Sequence, residues 1–162
     1  MRPYRFFLSC ASPADAGRPQ APAGAALDPV SSPEWAADMT RFAEQDAAHP
    51  PPAAPVVFTG SSSIRMWTTL AEDFPGLPAL NRGFGGSQVR DSVWYADQVA
   101  IRYQPRRIVL YAGDNDINAG RTPQQVSSDF RAFVARIRRD LAACLRRDGF
   151  AHVDEAVGAD HR

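Results

Sequence analysis

The chain has 162 residues, which is long enough for one domain with a hydrophobic core and short for two. Its 18 basic and 18 acidic residues give a formal net charge of +0, so charge provides no reason to expect nucleic acid or an anionic membrane as a partner. No apolar stretch is long enough to span a membrane. The two cysteines are far apart, which predicts neither a disulfide framework nor a zinc site.

The N-terminal residues combine arginines, a short apolar stretch and a cysteine, as export or lipoprotein signals do. The apolar stretch is shorter than the roughly 7–15 residues that such a signal needs. As written, the chain is expected in the cytoplasm, and a periplasmic or secreted location is expected only for a longer form with an intact signal. Residues 1–30 are predicted to be a flexible leader.

Strands and helices alternate through residues 31–149, which are predicted to form one domain. Helices are predicted from Ser32, over residues 64–70, from Ser87 to about Gln104, and from Thr122 to Gly149. Between them, apolar segments predict strands at residues 56–59, 79–81 and 107–112. Alternation of this kind predicts an α/β domain with a parallel sheet wrapped by helices.

In two of the helices, apolar residues at helical spacing predict a buried face. The helix after Ser87 is expected to direct Val93 and Trp94 inward, and the last helix is expected to bury a stripe that includes Phe130 and Phe133.

A polar cluster follows each predicted strand. The clusters are serines 61–63, the glycine-rich residues 83–86, and residues 114–116, which read Asp-Asn-Asp. Their spacing is close to the roughly 30 residues of one strand–helix–strand unit, so they are expected to meet at the carboxyl edge of the sheet. Taken singly, each cluster also has a structural interpretation as a helix cap or a tight turn.

Together, and in this order, the clusters resemble the motifs of the SGNH or GDSL-type hydrolases, a family of esterases and lipases on a flavodoxin-like sheet. Residues 58–67 resemble the nucleophile segment, residues 81–86 the second motif, and residues 113–116 the Gly-x-Asn-Asp motif. The resemblance implies that Ser62 is the nucleophile and that the Ser62 N–H, the Gly86 N–H and the Asn115 amide form the oxyanion hole. It also implies a small-molecule ester substrate, an acyl-enzyme, and no metal or organic cofactor.

The family's fourth motif, Asp-x-x-His, has no counterpart after Asn115. Neither His152 nor His161 has the required spacing to an aspartate, and His49 precedes the first strand. We therefore expect a three-layer flavodoxin-like domain that is truncated after its third strand–helix unit and followed by an irregular tail at residues 150–162. Activity is expected to be impaired, and the third strand is expected to be an exposed edge that favours self-association.

Three alternatives stay open at this point. The chain is a non-catalytic remnant that binds an acyl or acetylated-sugar group, or His152 or His161 folds back as a substitute base. The third alternative is phosphate binding by the glycine turns, against which the absence of both common phosphate-loop patterns counts.

Overall fold

The computed structural model describes residues 33–148. Its sheet has three parallel strands, β1 (Val56–Gly60), β2 (Ala79–Gly83) and β3 (Arg107–Tyr111), in the order β2-β1-β3. All five residues of the central strand β1 are buried. The predicted leader 1–30 and tail 150–162 lie outside the described residues.

Seven α-helices connect and cover the strands within the described part of the chain. They are α1 (Ala36–Ala48), α2 (Ser62–Arg65), α3 (Leu70–Asp73), α4 (Val89–Trp94), α5 (Ala96–Val99), α6 (Asp114–Asn118) and α7 (Pro123–Asp148), with a 3-10 turn at Ile101–Tyr103.

Both faces of the sheet are covered because successive side chains of a strand point to opposite faces. On one face, Val56 and Phe58 pack with Ile64 and Leu70 from α2 and α3. On the other face lies a larger core built from α1, α4, α5 and α7 around Phe84. The three-layer, flavodoxin-like α/β fold expected from the sequence is therefore confirmed.

A buried ion pair ties α1 to β2. The Arg82 guanidinium donates to the Asp46 carboxylate, and its Nε lies 2.8 Å from the Tyr103 hydroxyl. That hydroxyl in turn donates to Asp46 over 2.7 Å. Burial raises the pKa of Tyr103 above its ordinary value, so this hydroxyl keeps its proton.

Three local predictions were wrong. The helix predicted over residues 64–70 is instead two short helices, α2 and α3, and the helix predicted after Ser87 is interrupted between α4 and α5. Trp94 and Phe130, both expected to be buried, are 42% and 45% exposed. Phe133 is buried as expected.

β3 lies at an edge of the described sheet, with Ile108, Val109 and Leu110 only partly buried. The expected exposed apolar edge is therefore present in the described chain. Within residues 33–148, no helix combines the length and the apolar character needed to cross a membrane.

Candidate active site

The turn between β1 and α2 is held tightly against the end of β3. Gly60 has φ +124°, and a Cβ built on it would lie 2.0 Å from the Tyr111 carbonyl oxygen, so only glycine fits at this position. The Ser61 N–H donates to the same carbonyl over 3.0 Å. This contact places the three serines directly beside the end of β3.

Asn115 joins this turn to the glycine-rich loop. Its side-chain Nδ2 donates to the Ser61 hydroxyl over 2.6 Å and to the Ser87 carbonyl over 2.9 Å. One amide group thus links the loops that follow all three strands. The three clusters meet at the carboxyl edge of the sheet, but the serine in contact with Asn115 is Ser61, and Ser62 was the serine that the sequence singled out.

The Asp116 side chain also stabilises this part of the site. Its carboxylate is fully buried and accepts the Val89 N–H at the start of α4, over 3.1 Å to one oxygen. Burial raises the pKa of Asp116 above its usual value, although the Val89 hydrogen bond and Arg121, 3.7 Å away, act in the opposite direction. Asp116 therefore has a structural place in the site, because it anchors the helix that follows Gly86.

Ser62 and Gly86 are the accessible members of the site. Ser62 is the first residue of α2 and is half-buried, whereas Ser61 is 6% exposed. Among the described residues, the Ser62 hydroxyl and the N–H groups of Ser62 and Gly86 have no hydrogen-bond partner. Gly86 has φ +83° and open space where a Cβ would stand. Both N–H groups are therefore available to an incoming oxygen atom.

Trp35 supports the glycine-rich loop from α1. Its indole Nε1 donates to the Gly85 carbonyl over 2.9 Å, and its ring packs edge-on against Phe84 at 6.1 Å between centroids. Ser61, Ser87 and Trp35 make hydrogen bonds to residues that are distant in the sequence. Local sequence patterns do not predict contacts of this kind.

No histidine of the described chain lies near Ser62. His49 is the only histidine within residues 33–148, and it is exposed at the end of α1. Because α1 starts beside the glycine-rich loop and rises 1.5 Å per residue, His49 lies about 20 Å along the helix from Trp35. His152 and His161 lie outside the described residues. No group of side chains in this same range is arranged to hold a metal ion.

A shallow apolar depression of about 440 Å³ lies next to Asn115, between the end of β3 and the first turns of α7. It is lined mainly by Val89, Leu110, Ile117, Val126 and Phe130. Gly113 and Asp114, which directly precede Asn115, also line it, so an apolar surface adjoins the site.

Comparison with solved structures supports the fold class. A structure from Streptococcus pneumonia, of a protein provisionally named a platelet activating factor, aligns with a TM-score of 0.56 at 20% sequence identity. The alignment covers 64% of this chain and 48% of that chain. A likeness at this identity shows the α/β fold alone.

No family model matches the chain. Short segments are similar to two quinone-type dihydroorotate dehydrogenases. One, from Rhodospirillum rubrum, is 76% identical over 29 residues, which cover 18% of this chain and 8% of that protein. The other, the mitochondrial protein of Arabidopsis thaliana, is 44% identical over 50 residues, or 28% of this chain and 11% of that protein. The chain thus spans about a tenth of these relatives, too little to show a family.

Proposed function

We propose that the chain is a serine ester hydrolase of the SGNH or GDSL type, in which Ser62 attacks the ester carbonyl and forms an acyl-enzyme. The Ser62 N–H, the Gly86 N–H and the Asn115 amide stabilise the negative oxygen of the tetrahedral intermediate. The observation that carries this proposal is the Asn115 side chain, which hydrogen-bonds to both the serine turn and the glycine-rich loop. The substrate is a small-molecule ester.

Exposure favours Ser62 over Ser61 as the nucleophile. The Ser61 hydroxyl is buried and already accepts a hydrogen bond from Asn115, which lowers its electron density. The half-exposed Ser62 hydroxyl has no such partner within residues 33–148 and is open to a substrate. Attack by Ser62 also places the developing oxygen close to its own N–H, as acyl transfer at a strand–helix turn requires.

Asn115 must exchange one partner to act as an oxyanion donor. Both of its amide hydrogens are engaged, one by Ser61 and one by Ser87. A negatively charged oxygen is a stronger acceptor than a neutral hydroxyl, so a bound intermediate is expected to replace Ser61. The Ser87 bond then remains and holds the amide in place.

No histidine within residues 33–148 is placed to accept the proton of Ser62, because His49 lies at the C-terminal end of α1, away from the glycine-rich loop. The helix α7 has 26 residues and spans about 39 Å from the site edge toward the opposite edge of the sheet. His152 and His161 follow this helix in the sequence and lie outside the described residues, so a substitute base that folds back from them stays a proposal.

This lack of a base near Ser62 favours one second candidate, a non-catalytic protein that binds an acyl or acetylated-sugar group at the same site. Its binding surface would be the apolar depression together with the Gly86 and Ser62 N–H groups. The two candidates differ only in whether the serine becomes acylated.

A fluorophosphonate probe separates the candidates, because it reacts with activated serines. Because no histidine within residues 33–148 lies near Ser62 to activate it, we expect only slow labelling of the full chain, its loss in Ser62→Ala, and its retention in Ser61→Ala. Hydrolysis of a 4-nitrophenyl ester should follow the same order. Labelling that is lost in Ser61→Ala and kept in Ser62→Ala would contradict the assignment of Ser62 as the nucleophile. No labelling of a folded chain would favour the non-catalytic candidate.

We also propose that a second copy of the chain pairs with the free edge of β3. The strand ends at Tyr111, which is 51% exposed, and Ile117 of the following helix α6 is 54% exposed; unpaired strand edges promote such pairing. Sedimentation velocity should show concentration-dependent association that Tyr111→Lys weakens. The matched control is Met66→Lys, an equally exposed apolar site away from β3; equal weakening by both would argue against this edge.

A further inference from the structure

Arg65 is the last residue of α2 and shares a helical turn with Ser62. Side chains three positions apart on a helix are neighbours, with Cβ atoms roughly 5–6 Å apart. The charged end of Arg65 therefore lies on the same side of the site as the proposed nucleophile.

The Arg65 guanidinium lies directly on the glycine-rich loop. A Cβ built on Gly85 would stand 2.7 Å from Arg65 Nε and 2.9 Å from Cζ, so the flat group covers the backbone at this glycine. The carbonyl of Gly85 is held by Trp35 on its other side. The guanidinium is thus positioned immediately before Gly86, whose N–H is a proposed oxyanion donor.

The backbone that carries Arg65 is equally fixed. A Cβ on Gly83 would lie 2.3 Å from the Arg65 backbone nitrogen, which means that α2 touches the end of β2 backbone to backbone. The Arg65 N–H donates to the Ser61 carbonyl over 3.1 Å. Arg65 is therefore presented from a rigid platform.

No acidic side chain of the described chain neutralises Arg65. Elsewhere in the described chain, Arg82 is paired with Asp46 and Arg121 with Asp129. Arg65 has neither an ion pair nor a side-chain hydrogen bond within residues 33–148, and its side chain is exposed. An arginine offers five N–H donors in a planar fork that fits a carboxylate.

We infer that Arg65 is a specificity-determining residue that binds a carboxylate on the acyl part of the substrate. This inference rests on the proposed function, because it assumes that the acyl group is attached at Ser62. The separation of one helical turn between Ser62 and Arg65 suits a short diacid half-ester, in which the ester carbon and the free carboxylate are a few bonds apart. Arg65 would contribute binding and orientation, with no proton transfer of its own.

Two pairs of matched probes test the inference. The esters are 4-nitrophenyl hemisuccinate and 4-nitrophenyl butyrate, which differ by a carboxylate in place of a methyl group. The unreactive amides are succinamate and butyramide, whose binding to the full chain is measured by calorimetry. Because the pairing is solvent-exposed, we expect the charged member of each pair to be favoured by roughly fivefold.

The variant Arg65→Met keeps the apolar stem and removes the charge, and it should abolish the preference in both pairs. Arg65→Lys keeps a charge and should retain part of it. The control is Arg102→Met, which removes an equal charge from an exposed arginine before β3 and should leave the preference unchanged. If Arg65→Met does not fold, Arg65→Gln replaces it, and loss of the preference at high salt in the unaltered chain gives the same test.

The outcomes separate this inference from the proposed function. Succinamate binding that depends on Arg65, without hydrolysis of either ester, would support carboxylate binding by Arg65 and count against the hydrolase. Hydrolysis of both esters with no preference, or a preference that Arg102→Met removes equally, would overturn the inference and leave the hydrolase intact. An equal loss on both esters in Arg65→Met would assign Arg65 to packing of the loop and would also overturn it.

Discussion

The amide of Asn115 and the hydroxyl of Ser61 are 2.6 Å apart, although 54 positions separate them in the chain. The same amide holds the Ser87 carbonyl. These two bonds make Asn115 the point at which the loops after β1, β2 and β3 are joined, so its loss should affect both stability and chemistry.

Asn115→Ala removes both hydrogen bonds, and each is worth about 1 kcal/mol. We expect the free energy of unfolding to fall by about 2 kcal/mol, measured by urea denaturation, with a larger proportional loss of fluorophosphonate labelling. The control is Asn118→Ala on the same helix, whose exposed side chain makes no hydrogen bond within the described residues. A similar loss in both variants would show that the helix, and not the amide, is what matters.

The Arg82–Asp46 pair predicts a large effect far from the site. Asp46→Ala leaves the Arg82 guanidinium, whose side chain is 6% exposed, without its countercharge. Breaking a buried pair in this way costs about 3 kcal/mol or more. Asp38→Ala breaks the exposed pair with Arg41 and should cost less than about 1 kcal/mol. Comparable midpoints in urea for the two variants would refute the prediction.

Alanine substitutions at Gly83 and Gly76 are expected to destabilise the fold for different reasons, a steric clash at Gly83 and an unfavourable backbone conformation at Gly76. A Cβ at Gly83 would lie 2.3 Å from the Arg65 backbone nitrogen. Relief of this clash would require the backbone of β2 or α2 to shift. Gly83→Ala should therefore cost about 3 kcal/mol. Gly76 has φ +82° with open space around it, so Gly76→Ala should cost only about 1–2 kcal/mol from the left-handed backbone. Thermal unfolding measures both, and the reverse order would contradict the packing described.

Asp116 predicts a pH dependence of stability. Burial raises its pKa in the folded chain above 3.8, its value when unfolded. Between 3.8 and the higher folded value, the folded chain binds more protons than the unfolded chain. The Asp116 contribution is therefore complete below 3.8 and is lost as the pH rises through the folded pKa.

Asp116→Asn removes this titration but keeps an oxygen to accept the Val89 N–H. The stability of the unaltered chain relative to this variant should decrease as the pH rises from below 3.8 to neutral. Urea denaturation of both proteins over this range checks the prediction. A difference that grows with pH would mean that the hydrogen bond and Arg121 outweigh burial.

Much of the fold followed from local patterns. β1 begins with an apolar run and ends at Gly60, and β3 has an apolar run at residues 108–110, a composition typical of parallel strands. The site was predicted less completely from the sequence. Ser61 and Ser62 are identical neighbouring residues, so the sequence pattern does not show which of them contacts Asn115. The packing of Gly60 against Tyr111, two residues that are distant in the sequence, places the Ser61 hydroxyl against Asn115.

The failures at Trp94 and Phe130 have different causes. Trp94 directly follows the buried Val93 within α4 and so points about 100° away from it around the helix, off the buried face. Phe130 keeps its helical period but lies beside the free edge of β3, where no described element covers it. Helical periodicity predicts which residues share a face of the helix. It does not predict which other element packs against that face.

The core that joins α1 to α7 has a consequence for synthesis on the ribosome. Trp35 and Met39 pack in one cluster with Ile137 and Leu141, which are translated about a hundred residues later. The apolar face of α1 therefore lacks its α7 packing partners in the nascent polypeptide until residues 137–141 have emerged from the ribosome. During that delay it is exposed to chaperones and to other unfinished chains.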